Sequence, residues 1–312
     1  MAPFPEHHED PPPPMTPELG PPIEVLHPDA GALPLVISSP HSGQIYPPSM
    51  LQELRLPLEQ LRCLEDGQVD RLFGAAPELG APLLRARFAR AYVDPNREVF
   101  ELDAGLFHGL PDHVNATSAR ARAGLGTIPS RIGGEDIYRW RLSFDEAEQR
   151  VRLAYWPYHH ALQGLIGQTR AAFGTVLLLD CHSMPSLAPN GAAATEGAID
   201  FALGDRFGRS CSPLVVERVE ATLSRHGFRV ARNRPYAGGH ITARYGRPDA
   251  DVHALQIEIR RGLFMEEKTR RPNGAVARLQ EVIRELLLDI GWFMAKRLTP
   301  APISPGWLRT AS

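Results

Sequence analysis

The chain has 312 residues, 43% of them hydrophobic, with 34 Lys+Arg against 36 Asp+Glu and a formal net charge of −2. That length and apolar content suffice for a substantial buried core, and a charge so near balance excludes a general affinity for polyanions such as nucleic acid. Three cysteines (Cys63, Cys181 and Cys211) form no CxxC pair, no apolar run reaches bilayer length, and the first residues lack the basic and apolar regions of a signal peptide. A soluble, cytoplasmic protein without a disulfide framework or membrane association is expected.

Residues 1–24, with Pro11-Pro12-Pro13-Pro14, read as a disordered or polyproline tail, and residues 299–312 as a second tail. Between them strand-like and helix-like segments alternate. Strands are expected at 33–39, 82–94, 174–180, 199–204, 228–232 and 253–260, and helices at about 65–76, 144–172, 213–226 and 272–297. The last helix shows Val276, Leu279, Ile283, Leu286, Leu287, Ile290 and Met294 on one face, after the turn-forming Pro272-Asn273-Gly274. This alternation indicates an α/β sandwich. No repeat and no Pro/Gly linker divides residues 25–298, so one domain is expected there. Residues 104–135 carry little periodicity and read as a long surface excursion, of the kind often used for function.

The chemistry-bearing residues cluster in a few short segments. Asp180-Cys181-His182-Ser183 follows the apolar run Val176-Leu177-Leu178-Leu179, and Pro40-His41-Ser42-Gly43 follows Leu35-Val36-Ile37. Each places a histidine at the exit of a buried strand, where α/β folds bind ligands. Two imidazoles and one carboxylate are a common catalytic zinc set, with the fourth position open to water. His41 and His182 are the candidate ligands, and Glu65-Asp66, at the start of an expected helix, offers two candidates for the carboxylate. Asp180 is a candidate to orient a ligand imidazole. Asp94-Pro95-Asn96-Arg97-Glu98 offers Arg97 and Asn96 for a substrate carboxylate, or an arginine paired with its acidic neighbours. In the alternating strand 253–260, Glu258 is a general base beside a metal site or the partner of a structural arginine. Gly238-Gly239 gives a turn or a close backbone approach, with His240, Thr242 and Arg244 in reach of a substrate. No Gly-x-Ser-x-Gly elbow and no nucleotide-binding glycine pattern is present.

Together these motifs resemble the N-formylglutamate amidohydrolase family, in order, from about residue 33 to residue 267. The blocks are Val36-Ile37-Ser38-Ser39-Pro40-His41-Ser42-Gly43 with Tyr46-Pro47, Glu65-Asp66-Gly67-Gln68-Val69-Asp70, Ala91-Tyr92-Val93-Asp94-Pro95-Asn96-Arg97-Glu98, Asp180-Cys181-His182-Ser183-Met184-Pro185, Tyr236-Ala237-Gly238-Gly239-His240-Ile241-Thr242 and Leu255-Gln256-Ile257-Glu258-Ile259. The resemblance implies a three-layer sandwich with a central mixed sheet flanked by helices, like the zinc carboxypeptidases and aspartoacylases. It implies a single catalytic domain that cleaves N-formyl-L-glutamate, a small acidic N-acyl amino acid, to formate and L-glutamate in histidine degradation. Carried over by motif, His41 and His182 bind one Zn2+, Asn96-Arg97 hold a substrate carboxylate, and Glu258 is the general base. The wider group's His-x-x-Glu motif is missing, because Ser42-Gly43-Gln44 follow His41. The third ligand is therefore expected from Glu65 in preference to Asp66. A dicarboxylate needs a second cation, expected from Arg244, Arg131 or Arg139. The competing readings are a zinc amidase for another N-acyl amino acid or a peptide, a metal-free Ser or Cys hydrolase, and an inactive binding homologue.

Overall fold

In a computed structural model of the chain, residues 18–29, 33–186 and 199–297 are described. The apolar segments that read as buried strands join in one seven-stranded sheet. Its strands in chain order are β1 (Ile23–Leu26), β2 (Leu35–Ser39), β3 (Leu83–Ala86), β4 (Val176–Met184), β5 (Phe201–Gly204), β6 (Val230–Arg232) and β7 (Val252–Arg260). Across the sheet the order is β1-β3-β2-β4-β7-β5-β6. The central strands β3, β2, β4 and β7 run parallel, while β1 is antiparallel to β3 and the β5–β6 pair is antiparallel to β7. The sheet is mixed, with helices on both faces, as expected.

Strand alternation sorts the core into two layers. On one face Val36, Leu84, Leu178 and Ala254 pack with Tyr158, Leu162, Leu165 and Ile166. Those four come from a long helical run made of α1 (Phe144–Arg150), a π-helical turn (Val151–Tyr155) and α2 (Trp156–Phe173). Ser143 starts it as an N-cap, its Oγ accepting from Glu146 N, and Gly174 ends it with φ 76°. On the other face Leu35, Ile37, Leu179, Leu255 and Ile257 pack with Val219 and Leu223 of α3 (Pro213–Arg225) and with Ile283, Leu287 and Ile290 of α5 (Val276–Arg297). The short α4 (His240–Tyr245) comes between α3 and α5 in the chain and packs Ile241 into the first layer. No helix among the described residues is long and apolar enough to cross a membrane.

The sequence reading and the fold differ in four places. The expected C-terminal tail and most of the N-terminal one lie outside the described residues, but β1 begins at Ile23 and Leu19 is buried, inside the stretch read as tail. A four-residue, half-buried edge strand beside prolines carries little periodic signal. The expected strand 82–94 joins the sheet only over Leu83–Ala86; beyond it Phe88 makes an isolated bridge to Ile45 and the chain then turns away. Of the expected helix 65–76, only Val69–Leu72 is helical, because Gly67 takes φ 68° and holds Glu65 and Asp66 in a loop. Finally, β4 runs through His182 to Met184, since β7 pairs with it along its whole length. His182 is thus a buried strand residue, not a loop residue after a strand.

Leu178 lies in the central strand with no solvent exposure. Leu178→Ala is expected to cost about 2–5 kcal/mol of unfolding free energy, read by urea denaturation. A loss below about 1 kcal/mol would contradict this packing.

Candidate metal centre and active-site cavity

The face that carries Val36, Leu178 and Ala254 turns polar at the carboxyl ends of the parallel strands. The same alternation that buries Leu178 puts Asp180 and His182 of β4 on that face, and Ala254 is followed on it by Gln256 and Glu258 of β7. The parallel register aligns Gln256 with Asp180 and Glu258 with His182. His41 follows β2, the neighbour of β4 on its other side, and Gly43 lets the chain turn there: a Cβ at Gly43 would overlap the Phe88 carbonyl. The polar ends of three adjacent strands therefore meet.

At their meeting point the buried donors of His41, Asp66 and His182 lie within 4.8 Å of one another. Asp66 Oδ2 is 2.8 Å from His182 Nδ1 and 3.2 Å from His41 Nδ1, and the two Nδ1 atoms are 3.1 Å apart. The far nitrogens are engaged outward. His41 Nε2 donates to Asp94 Oδ1 at 2.7 Å, and His182 Nε2 lies 2.9 Å from Asp180 Oδ2. With an Nε2 proton shared with Asp94 and Asp180, each ring would turn an Nδ1 lone pair toward a cation held beside Asp66. Burial opposes charge on His182, yet Asp180 and then Asp66 hold its proton well above the ordinary imidazole value. The pocket favours positive charge at this point, and two imidazole nitrogens plus one carboxylate oxygen are a donor set that fits a divalent cation.

The carboxylate that stands with the two imidazoles is that of Asp66 and not the expected Glu65. Asp66 is pinned by its backbone: its N–H donates to the His41 carbonyl, and its carbonyl accepts from Ser183 Oγ at 2.8 Å. Glu65 is extended at φ −74°, ψ 146°, and successive side chains of extended backbone diverge. Its carboxylate instead accepts from Tyr46 Oη at 2.8 Å and pairs with Arg270 Nη2 at 3.2 Å. Arg261 secures the same loop, donating to the carbonyls of Cys63 and Glu65 and to Ser183 Oγ.

A cavity of about 520 Å³ opens over the three donors and is also lined by Asn96, Arg97 and Glu258. Glu258 is buried and accepts from Gln256 Nε2 at 2.7 Å. Burial, opposed by His182 and reinforced by Asp66, pushes its carboxyl up to about 7. Asp94 is the opposite case: burial works against its charge, but Arg90, His41 and Arg97 hold it well below the usual carboxylate range. Arg97 is fixed by bonds from Nε to the Leu125 carbonyl at 2.8 Å and from Nη1 to the Asn96 carbonyl at 2.9 Å.

The other expected substrate groups are placed differently. The Asn96 amide is engaged inside the protein, with Nδ2 3.1 Å from His182 Nε2 and donating to Asp180 Oδ2 at 3.3 Å, and with Oδ1 accepting from Ile241 N at 2.8 Å. Gly239 makes the close approach expected of the Gly-Gly pair, but to this amide, which a Cβ there would overlap. Thr242 is fully buried and its hydroxyl donates to the Gly239 carbonyl, closing the first turn of α4. His240 lines an adjoining recess, near the Tyr155 hydroxyl at 3.3 Å, and burial together with Arg244 lowers its pKa to about 4. Arg244 is exposed, with its guanidinium over the Tyr245 ring. Arg131 and Arg139 line a separate recess beside Asp103 and Asp136. The cations that do line the cavity with Arg97 are Arg90, Arg120 and Arg261. Sequence reasoning missed these three. Arginines are abundant in the chain, and only Arg90, four residues before Asp94, had a spacing that pointed to a partner.

Comparison with known proteins identifies the family. The family model described as N-formylglutamate amidohydrolase matches residues 33–265. A curated N-formylglutamate deformylase of Pseudomonas aeruginosa is 34% identical over 276 residues, 85% of this chain and 95% of that protein. One from Pseudomonas putida is 32% identical over 78% of this chain and 86% of that protein. A crystal structure of N-formylglutamate amidohydrolase from Ralstonia eutropha superposes with a TM-score of 0.81 at 38% identity, covering 88% of this chain and 98% of that one. A structure of an Agrobacterium tumefaciens gene product shares the fold, with a TM-score of 0.62 at 21% identity over 88% of this chain and 98% of that one. The chain belongs to the N-formylglutamate amidohydrolase family.

Proposed function

We propose that the protein hydrolyses N-formyl-L-glutamate to formate and L-glutamate with a divalent cation, zinc by the nature of the donors, held by His41, Asp66 and His182. The observation that carries this reading is the convergence of three buried donors beside the buried carboxylate of Glu258, in a cavity with arginines in its wall. The relatives' named activity supplies the reaction.

Such an ion, when bound, polarises the formyl carbonyl and lowers the pKa of a water at its open position to roughly 7. Glu258 accepts the proton of the attacking water and returns one to the departing amine nitrogen. A carboxyl pushed up to about 7 is suited to both transfers, because neither protonation state is strongly favoured near neutrality. Arg97, half-buried and fixed by two carbonyls, receives the substrate's α-carboxylate. Asn96 serves by orienting Asp180 and His182 instead of touching substrate. Asp94 and Asp180 hold the imidazoles in the ligating tautomer.

The direct assay is formate release from N-formyl-L-glutamate by the purified chain. Turnover is expected to exceed that on other N-acyl amino acids, to fall to background with a chelator, and to return with Zn2+. A preference for a neutral acyl amino acid, or activity indifferent to chelator, would refute the reading. Glu258→Gln is expected to lower kcat by about 10²–10⁴-fold while metal content stays at that of the wild type; retained turnover would remove Glu258 from the proton-transfer role. Asp66→Asn is expected to weaken metal binding at least about 10-fold in equilibrium titration, with Glu65→Gln close to wild type. The reverse pattern would restore Glu65 as the ligand.

A further inference from the structure

The cavity wall contains one cation with no assigned work. Arg261 is fully engaged on the Cys63–Asp66 loop, Arg90 Nε donates to Asp94 Oδ2 at 2.8 Å, and Arg97 is anchored by two carbonyls. Arg120 also lines the cavity, and its guanidinium has no hydrogen-bond or ion-pair partner among the described residues. It lies at the wall that the cavity shares with the adjoining recess of about 390 Å³.

Arg120 is exposed, and the backbone that carries it is fixed. It belongs to a single helical turn, Ala119–Arg122, which Ser118 caps by accepting from Ala121 N at 2.9 Å. The Ser118 hydroxyl donates in turn to the buried Glu101 at 2.5 Å. Leu125 N then donates to the Arg120 carbonyl, and the Leu125 carbonyl accepts from Arg97 Nε. One short segment therefore both fixes Arg97 and presents Arg120. The two guanidiniums repel each other, and burial, with Arg90 and Arg120 nearby, already holds Arg97 below its ordinary value. An anionic group placed between them relieves that repulsion.

We propose that Arg120 is the specificity-determining residue for the acidic side chain: it receives the distal carboxylate of the substrate while Arg97 receives the α-carboxylate. This rests on the reading of the cavity as a site for an N-acylated acidic amino acid. It also replaces Arg244, Arg131 and Arg139, none of which lines the cavity, as the second cation. A guanidinium that gains a carboxylate partner only from substrate contributes selectivity against neutral side chains, because no internal acid competes for it.

The test compares kcat/KM for N-formyl-L-glutamate and its neutral isostere N-formyl-L-glutamine in the metal-loaded wild type, Arg120→Gln and Arg120→Lys. The wild type is expected to prefer the glutamate derivative. Arg120→Gln is expected to shrink that ratio about 100-fold, chiefly through KM for the dicarboxylate, and Arg120→Lys to restore part of it. Thermal unfolding should be unchanged in Arg120→Gln, since the guanidinium has no internal partner to lose. A ratio preserved in Arg120→Gln, or losses of equal size on both substrates, would overturn the role of Arg120 while leaving the functional reading intact. A wild type without preference for the acidic substrate would overturn the functional reading, and this inference with it.

Discussion

The site depends on two contacts, of His41 Nε2 with Asp94 and of His182 Nε2 with Asp180. Each holds its ring so that Nδ1 faces the same place, beside Asp66. Each carboxylate is itself tied to the fold. Asp94 accepts from Arg90 and from the backbone N–H of Asn96. Asp180 accepts from Ser38 Oγ, which bonds the Tyr158 hydroxyl of helix α2. Tyr158 also packs in the apolar layer with Leu178, so the packing of a helix on the sheet and the tautomer of a candidate ligand are set by one connected arrangement. A buried carboxylate without partners costs several kcal/mol, which makes these contacts hard to give up once the core has formed.

Charge balance follows from the same geometry. Asp66, Asp94, Asp180 and Glu258 are all buried within one small volume. Arg90 neutralises Asp94 directly, while Arg261 approaches Asp66 at 3.6 Å. The remaining negative charge is shared among groups that face the two imidazoles, which suits a cation there. Environment then separates the carboxylates by task. Asp94 is kept ionised by Arg90 and serves to orient, whereas Glu258, without a cation in contact, is driven up toward neutrality and can exchange a proton.

How much of this was legible in the sequence depended on how local the signal was. The central strands were legible because buried parallel strands read as short apolar runs, and Val176-Leu177-Leu178-Leu179 is such a run. His41, just past β2, and the strand residues His182 and Glu258 stand out because buried polar residues at the ends of those runs are costly without partners. Glu65 against Asp66 was not legible. Both are acids, and the difference lies in which backbone the His41 carbonyl and Ser183 pin. Asn96 was found, but its work was not, since its partners Asp180 and Ile241 come from distant parts of the chain. The placement of Thr242 is hidden for a related reason: a hydroxyl three residues after Gly239 bonds its own turn as readily as a ligand. Arg120 was hidden in an aperiodic excursion, where nothing distinguishes a cation at a cavity wall from one in solvent.

The central claim is that both imidazoles ligate through Nδ1, with Asp66 as the third donor. Anomalous diffraction at the zinc edge, from crystals grown with Zn2+, tests this most directly. The account predicts a single strong peak about 2.0–2.2 Å from His41 Nδ1, His182 Nδ1 and an Asp66 oxygen, with Asp94 and Asp180 still bonded to the Nε2 atoms. A peak coordinated by Glu65, ligation through either Nε2, or no peak at this position would contradict it.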